Sequence, residues 1–179
     1  MGYSHTKEWI FGYKLHMICS TDPPAIVPLS ADVTTANVSD KPVYPGLISY
    51  LSLEILKKIH FMVADPGYDD KDLYDLSLKK GFQLVFPIRR YKSTPEERLK
   101  LVDFYESALG QVVVYSRRRT SIEPLIEHIK STFRIGPVPV RGYDKVRGII
   151  LLSVLLYQIL VYYNCKGRKE GSLYDQSNT

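Results

Sequence analysis

The segment from His60 to Ile88 constrains the fold class more tightly than any other part of the chain. His60 to Ala64 (HFMVA) is a short apolar run that reads as a buried strand, and Asp65-Pro66-Gly67 ends it in a turn. Asp69 or Asp70 can cap the helix of KDLYDLSLKK, because a short side-chain oxygen accepts from the unsatisfied N–H groups of a first turn. Gly81 closes that helix, since glycine takes the left-handed conformation after a helix without a Cβ penalty. Phe82 to Ile88 (FQLVFPI) is then a second buried strand. Strand, helix and strand with links this short imply a parallel pair and a right-handed crossover. The fold class expected is therefore α/β.

The flanking segments fit around this unit. Phe11 to Ser20 (FGYKLHMICS) and Ala25 to Thr34 (AIVPLSADVT) read as strands, joined through Asp22-Pro23-Pro24 as an antiparallel hairpin. Pro28 has no N–H to donate, so its strand is expected to be incompletely paired there. Leu47, Ile48, Leu51, Ile55, Leu56 and Ile59 recur at helical spacing and predict one helix over 47–59. Further helices are expected from the Thr94-Pro95-Glu96-Glu97 capping box towards Leu109, over Ser121 to Phe133, and over Val146 to Tyr163. The expected organisation is a single domain over 1–165, followed by a polar, disordered tail over 166–179.

Charge and cysteine content limit the function classes. The net charge of +5 is unevenly placed: Met1 to Gly110 holds 13 Lys/Arg against 14 Asp/Glu, and Gln111 onward holds 11 against 5. A basic last third suits a polyanionic partner such as nucleic acid, or equally a solvated basic surface. Cys19 and Cys165 lie far apart with no CxxC companion, which disfavours a zinc site or a disulfide framework and suits a reducing cytosol. The longest apolar run, Ile149 to Tyr163, has 15 residues, short of the roughly 20 that span a bilayer. A buried helix is expected there, and no membrane partner.

Two acids are candidates for chemistry. Asp65 falls at the carboxyl end of a buried strand, where open α/β sheets place ligands, although an Asp before Pro-Gly can equally tie down its own turn. Glu123 falls in a helical first turn, where Pro124 loses nothing by lacking an N–H and the helix dipole favours an ionised carboxylate. Ile122, Leu125, Ile126, Ile129 and Phe133 make the apolar stripe of that helix, and Glu123 and Lys130 lie on one flank of it. Arg119 continues the flank if the turn reaches back so far. A plain salt-bridge cluster would have the same composition.

Four stretches together carry a resemblance: FGYKLH, PLSADVTTANVSD, VADPGYDD and RRRTSIEPLIEHIK. They resemble the transposase DDE domain of the insertion-sequence families numbered four and five. The GYKxH-like strand is Gly12-Tyr13-Lys14-Leu15-His16, and the AN-x-x-D-like element is Ala36-Asn37-Val38-Ser39-Asp40. Asp65, Gly67, Tyr68 and Asp69 match the family's D-x-G-Y-D motif. Arg119, Glu123 and Lys130 match its Y-R-E-K signature, with three residues between Arg and Glu and six between Glu and Lys. Tyr115 stands one residue too far from the arginine to match. The closing segment VRGIILLSVLLYQILVYYN also looks like the last helix of these enzymes, so the resemblance runs from about Gly12 to Asn164.

The resemblance implies a ribonuclease H-like mixed sheet flanked by helices, with C-terminal helices. It implies phosphoryl transfer on DNA, with Asp65 and Glu123 as catalytic acids and metal ligands for two Mg²⁺ (or Mn²⁺) ions roughly 4 Å apart. The two acids would then approach each other across a cleft. Arg117, Arg118, Arg119, Lys130, Arg134 and Arg141 would hold DNA, both transposon ends and target. The family's first aspartate, on the central strand before the GYK strand, has no counterpart here: Glu8 is the one acid upstream of Gly12, and Asp22 and Asp32 fall in the hairpin. The expectation is thus an N-terminally truncated, incomplete sheet lacking its first strand, inactive alone. It would act as a homodimer or with a complementary transposase segment, in a prokaryotic cytoplasm at the nucleoid. The alternatives are a non-catalytic DNA-binding remnant and a structural cytosolic α/β domain.

Overall fold

A computed structural model describes residues 2–3, 9–10, 12–21, 25–86 and 122–175, together with 92, 94, 96, 99, 100, 103 and 107. Its contacts divide the chain into two compact units, one of 1–37 with 124–179 and one of 38–123.

In the first unit, β1 (Gly2–Tyr3) pairs antiparallel with β2 (Trp9–Ile10). The expected hairpin follows as β3 (Tyr13–Ser20) and β4 (Val27–Thr35), antiparallel. Its register slips between Ile18, opposite Ser30, and Cys19, opposite Pro28. The slip falls where proline removes a ladder donor, as the sequence predicts. The Asp22-Pro23-Pro24 turn lies outside the described residues.

One face of the hairpin carries Leu15, Met17, Cys19, Ala31 and Val33, the alternation expected of a strand whose face is covered. Two helices cover it, α4 (Ile122–Phe133) and α5 (Tyr143–Asp175). Leu125 and Ile129 of α4 and Val146, Ile150 and Val154 of α5 are fully buried there, with Phe133 packed beside them. Polar bonds fix α5 along β4: the Tyr143 hydroxyl donates to the Val33 carbonyl at 2.7 Å and the Gln158 amide to the Pro28 carbonyl at 2.7 Å. Arg147 donates to Asp32 Oδ1 at 3.0 Å through both Nε and a terminal nitrogen. Burial pushes the Cys19 thiol up to about 12, so it stays neutral and inert at physiological pH.

Helix α5 departs from expectation. A buried helix was expected over Ile149 to Tyr163, but only the face turned to β4 is covered. Leu152, Leu155, Leu156, Ile159, Leu160, Tyr162 and Tyr163 are exposed. Its apolar stretch Tyr143–Lys166 is 24 residues, long and apolar enough to cross a membrane by length and composition, with 22% of the most apolar part buried. The 15-residue sequence count ran only from Gly148 to Asn164, exclusive of both. The helix also runs on to Asp175, into the segment expected to be a tail.

In the second unit a 3-10 turn (Lys41–Val43) leads into α1 (Tyr44–Ser49) and α2 (Leu53–Leu56). The single helix expected over 47–59 is two. Ser52 breaks it by capping α2, its hydroxyl accepting from the Ile55 N–H at 3.3 Å, because serine competes for backbone donors better at a cap than inside a helix. The β5 (Phe61–Val63), α3 (Lys71–Lys79), β6 (Gln83–Val85) run is as the sequence predicts, with β5 and β6 parallel. Gly81 follows α3 at φ 93, the left-handed conformation it was expected to supply. Strand β6 is buried through Leu84 and Val85, whereas β5 is partly exposed, with Phe61 at its start open to solvent.

The mixed sheet expected from the family resemblance is not continuous among the described residues. The hairpin and the parallel pair are separate two-stranded sheets, and no ladder bond joins them. The helix expected from Thr94 to Leu109 falls largely outside the described residues.

Helix α4 ends on a strained residue. Arg134 follows it at φ 50, and the next N–H, of Ile135, returns to the Lys130 carbonyl at 3.1 Å, closing a Schellman-type cap with Ile135 folded into the core. A left-handed residue with a Cβ costs roughly 1–2 kcal/mol. Arg134→Gly is therefore expected to stabilise the protein by about 1 kcal/mol, a rise of about 2–4 °C in Tm for a chain of this size. Thermal unfolding followed by circular dichroism checks it; an unchanged or lowered Tm contradicts the cap.

Candidate functional site

Asp65 lies two residues beyond β5, at the carboxyl end of a strand in a parallel pair. Its backbone is extended, and the following turn (Pro66–Tyr68) is closed by backbone bonds: Tyr68 N–H to the Asp65 carbonyl at 3.0 Å, and Asp69 N–H to the Pro66 carbonyl at 3.1 Å. The Asp65 carboxylate makes no cap bond to that turn and is exposed.

The capping role falls instead to Asp70, which accepts from the Asp72 N–H at 2.9 Å and pairs with Lys41 at 3.3 Å. The bond from Asp72 and the Lys41 ammonium hold its carboxyl below the usual range. Of the two cap candidates in the sequence, Asp70 is therefore the one used.

Asp40 is the acid that residue-by-residue reasoning left without a role. A Cβ built on Gly67 would lie 3.2 Å from Asp40 Oδ2, so the carboxylate sits directly against the turn that carries Asp65. Only glycine leaves that approach uncrowded. Tyr68 belongs to the same cluster: its ring meets that of Tyr44 edge-on at 5.9 Å. The Tyr44 hydroxyl shares a 2.7 Å hydrogen bond with that of Ser77 on α3. Burial pushes the Tyr68 phenol up to about 12, with the Asp40 carboxylate and the Tyr44 phenol adding to the rise. Burial likewise pushes Tyr44 up to about 12, against the lowering effect of the Ser77 hydroxyl. Neither phenol ionises near neutral pH. The segment 40–44 therefore packs against the Asp65 turn, and Tyr44 ties that segment to α3. The spacing of A-N-x-x-D to D-x-G-Y was the signal that could have joined them.

Glu123 is placed as expected in the first turn of α4, exposed, beside the apolar stripe of Leu125 and Ile129. Lys130 is exposed on the same helix. Its ammonium pairs with Glu127 at 2.8 Å, one turn away, rather than with Glu123, which is two turns away on the same helix. Arg134 and Arg141 are exposed on the first unit. Arg117, Arg118 and Arg119, and the Ser121 expected to cap α4, lie outside the described residues.

Carboxylates are the hard oxygen donors that Mg²⁺ prefers, so Asp65 and Glu123 fit such an ion chemically. They do not complete a site by themselves. Among the described residues no group of three or more His, Cys, Asp or Glu gathers to hold a metal. Asp32, the hairpin acid nearest in kind to a third ligand, is committed to Arg147 and to its neighbour's N–H.

Residues 1–159 match the family model described as the transposase DDE domain, and the chain belongs to that family. No curated protein and no solved structure matches the chain. The membership makes DNA the substrate of the family's chemistry.

The contact of Asp40 with the Asp65 turn has a measurable consequence. Gly67→Ala forces Asp40 to give way by a few tenths of an ångström and is expected to cost about 1 kcal/mol, at the low end for overpacking. In an Asp40→Ala background the same change should cost close to nothing, a coupling of at least about 0.5 kcal/mol. Urea unfolding of the four proteins measures it; additive costs would show that the carboxylate and the turn are not in contact.

Proposed function

We propose that the chain supplies two carboxylates, Asp65 and Glu123, to a metal-dependent phosphoryl-transfer site of an insertion-sequence transposase that acts on transposon ends and target DNA. The observation that carries this reading is the state of Asp65. It is exposed at the carboxyl end of a parallel strand, and the turn that follows it lies against Asp40 at Gly67 and against Tyr44 at Tyr68. A rigid, solvent-facing carboxylate is what in-line displacement at a phosphodiester requires, because charge builds on the attacking and leaving oxygens and must meet a preorganised counter-charge. Two Mg²⁺ or Mn²⁺ ions would supply that counter-charge, and Asp65 and Glu123 would bind and orient them. Arg134 and Arg141, with Arg117 to Arg119 and Lys130, would hold the DNA backbone.

Two acids are one short of the set that fixes two ions, and Asp32 is not available as the third. The 179-residue chain is therefore expected not to cut or join DNA alone. It should gain metal-dependent cleavage when a third, strand-borne aspartate is supplied on a separate polypeptide. The excess of basic residues after Gly110 supports a second reading, a non-catalytic DNA-binding remnant.

A cleavage and strand-transfer assay on DNA carrying the element's terminal repeats separates the two. The complemented protein should cleave in Mg²⁺ or Mn²⁺, and Asp65→Ala or Glu123→Ala should lower the rate by several orders of magnitude, as the loss of electrostatic stabilisation does. Cleavage by the chain alone would show that its own residues complete the acid set. Binding without cleavage in every form would favour the remnant.

A further inference from the structure

Two tyrosines stand side by side on the surface where the hairpin and α5 both begin. Tyr13 is the first residue of β3 and Tyr143 the first of α5. Their ring centroids are 6.2 Å apart and the rings are tilted by 35°, so they splay rather than cover each other. Tyr13 is 39% exposed and Tyr143 41%. Each is nonetheless held in place. The Tyr143 hydroxyl donates to the Val33 carbonyl at 2.7 Å. Tyr13 stands opposite Thr35 in the ladder, and the Gly12 carbonyl just before it accepts from the Ala36 N–H at 2.9 Å. Arg141, two residues before Tyr143, and Lys145, two after it, are exposed, and Asp144 is the one acid among residues 141–147.

We infer that the Tyr13–Tyr143 pair is a stacking site for an unpaired nucleobase of the DNA. This rests on the reading of the chain as a transposase acting on DNA, and it adds a base contact to the cations that would hold the backbone. Every base has a π-face that an aromatic ring can cover, whatever the sequence. A ring already fixed in position and orientation loses little freedom when it binds. The guanidinium of Arg141 and the ammonium of Lys145 suit the phosphates that flank any base. A purely apolar partner would instead desolvate those two charges with nothing to offset them.

The same geometry selects an unpaired base. Inside a duplex each base has neighbours on both faces, so a protein ring reaches only a base that has left the stack. Strand cleavage creates such bases, because the end of a cut strand can separate from its complement.

Binding measured without metal tests the inference. Fluorescence anisotropy compares a blunt duplex with the same duplex carrying a short single-stranded overhang. The overhang contains 2-aminopurine, whose emission falls on stacking. The parent should bind the overhang DNA about tenfold more tightly than the blunt DNA and quench that emission. Tyr13→Ala should lose the preference and the quench while binding blunt DNA as the parent does. Tyr13→Phe, which keeps the ring, should retain both. If circular dichroism shows that Tyr13→Ala does not fold, Tyr13→Leu takes its place with the same expectation, since it keeps an apolar contact with Tyr143 but has no π-face. Arg141→Ala should weaken both DNAs alike, as a phosphate contact does. Blunt binding with no preference for the overhang, or a folded Ala or Leu variant that keeps the preference and the quench, overturns this inference alone. A parent that binds neither DNA overturns the DNA reading with it.

Discussion

Strands of three residues cannot hold a parallel register through their ladder alone, and the position of Asp65 depends on that register. Pairing of Phe61, Met62 and Val63 with Gln83, Leu84 and Val85, extended by the Ala64 N–H to the Val85 carbonyl at 2.8 Å, fixes where the chain leaves the sheet. Leu84, Val85 and Phe86 are almost completely buried and lock one strand of the pair. Helix α3 returns the chain between the two strands, with Asp70 capping its start and Gly81 turning its end. Ser77 on that helix meets Tyr44, and Tyr44 meets Tyr68, so the same packing that holds the crossover also holds the acid-bearing turn. Order at the turn is thus a by-product of burying a very small parallel pair.

Local rules made much of this legible. The βαβ run, its capping acid and its closing glycine could be read from residue types, because each satisfies a backbone need within a few positions. The hairpin and the disturbance at Pro28 could be read for the same reason. The break at Ser52 was missed because apolar periodicity continues through it: Leu51 and Leu56 are buried on either side, and only the cap bond reveals two helices. Lys130 shares a flank with Glu123 as the sequence implies, but its ion-pair partner is Glu127, one turn nearer.

The last helix shows a different limit. Apolar residues all round a helix predict full cover but do not say what supplies it. Part of the cover is the hairpin, which the sequence could not specify, and the opposite face is exposed among the described residues. Asp40 is similar: it stands 25 positions before Asp65 and could be joined to it through the motif pattern, not through any local rule. Contacts between elements distant in sequence set both cases.

The central claim is that Asp65 and Glu123 serve one metal site. Electron paramagnetic resonance of Mn²⁺ titrated into the protein measures bound against free ion. Asp65→Asn, Glu123→Gln and the double variant should each lose the same bound ion, so that the double loses no more than either single, as for two ligands of one centre. Losses that add, or single variants that bind as the parent does, would place the two acids at separate sites and contradict the account.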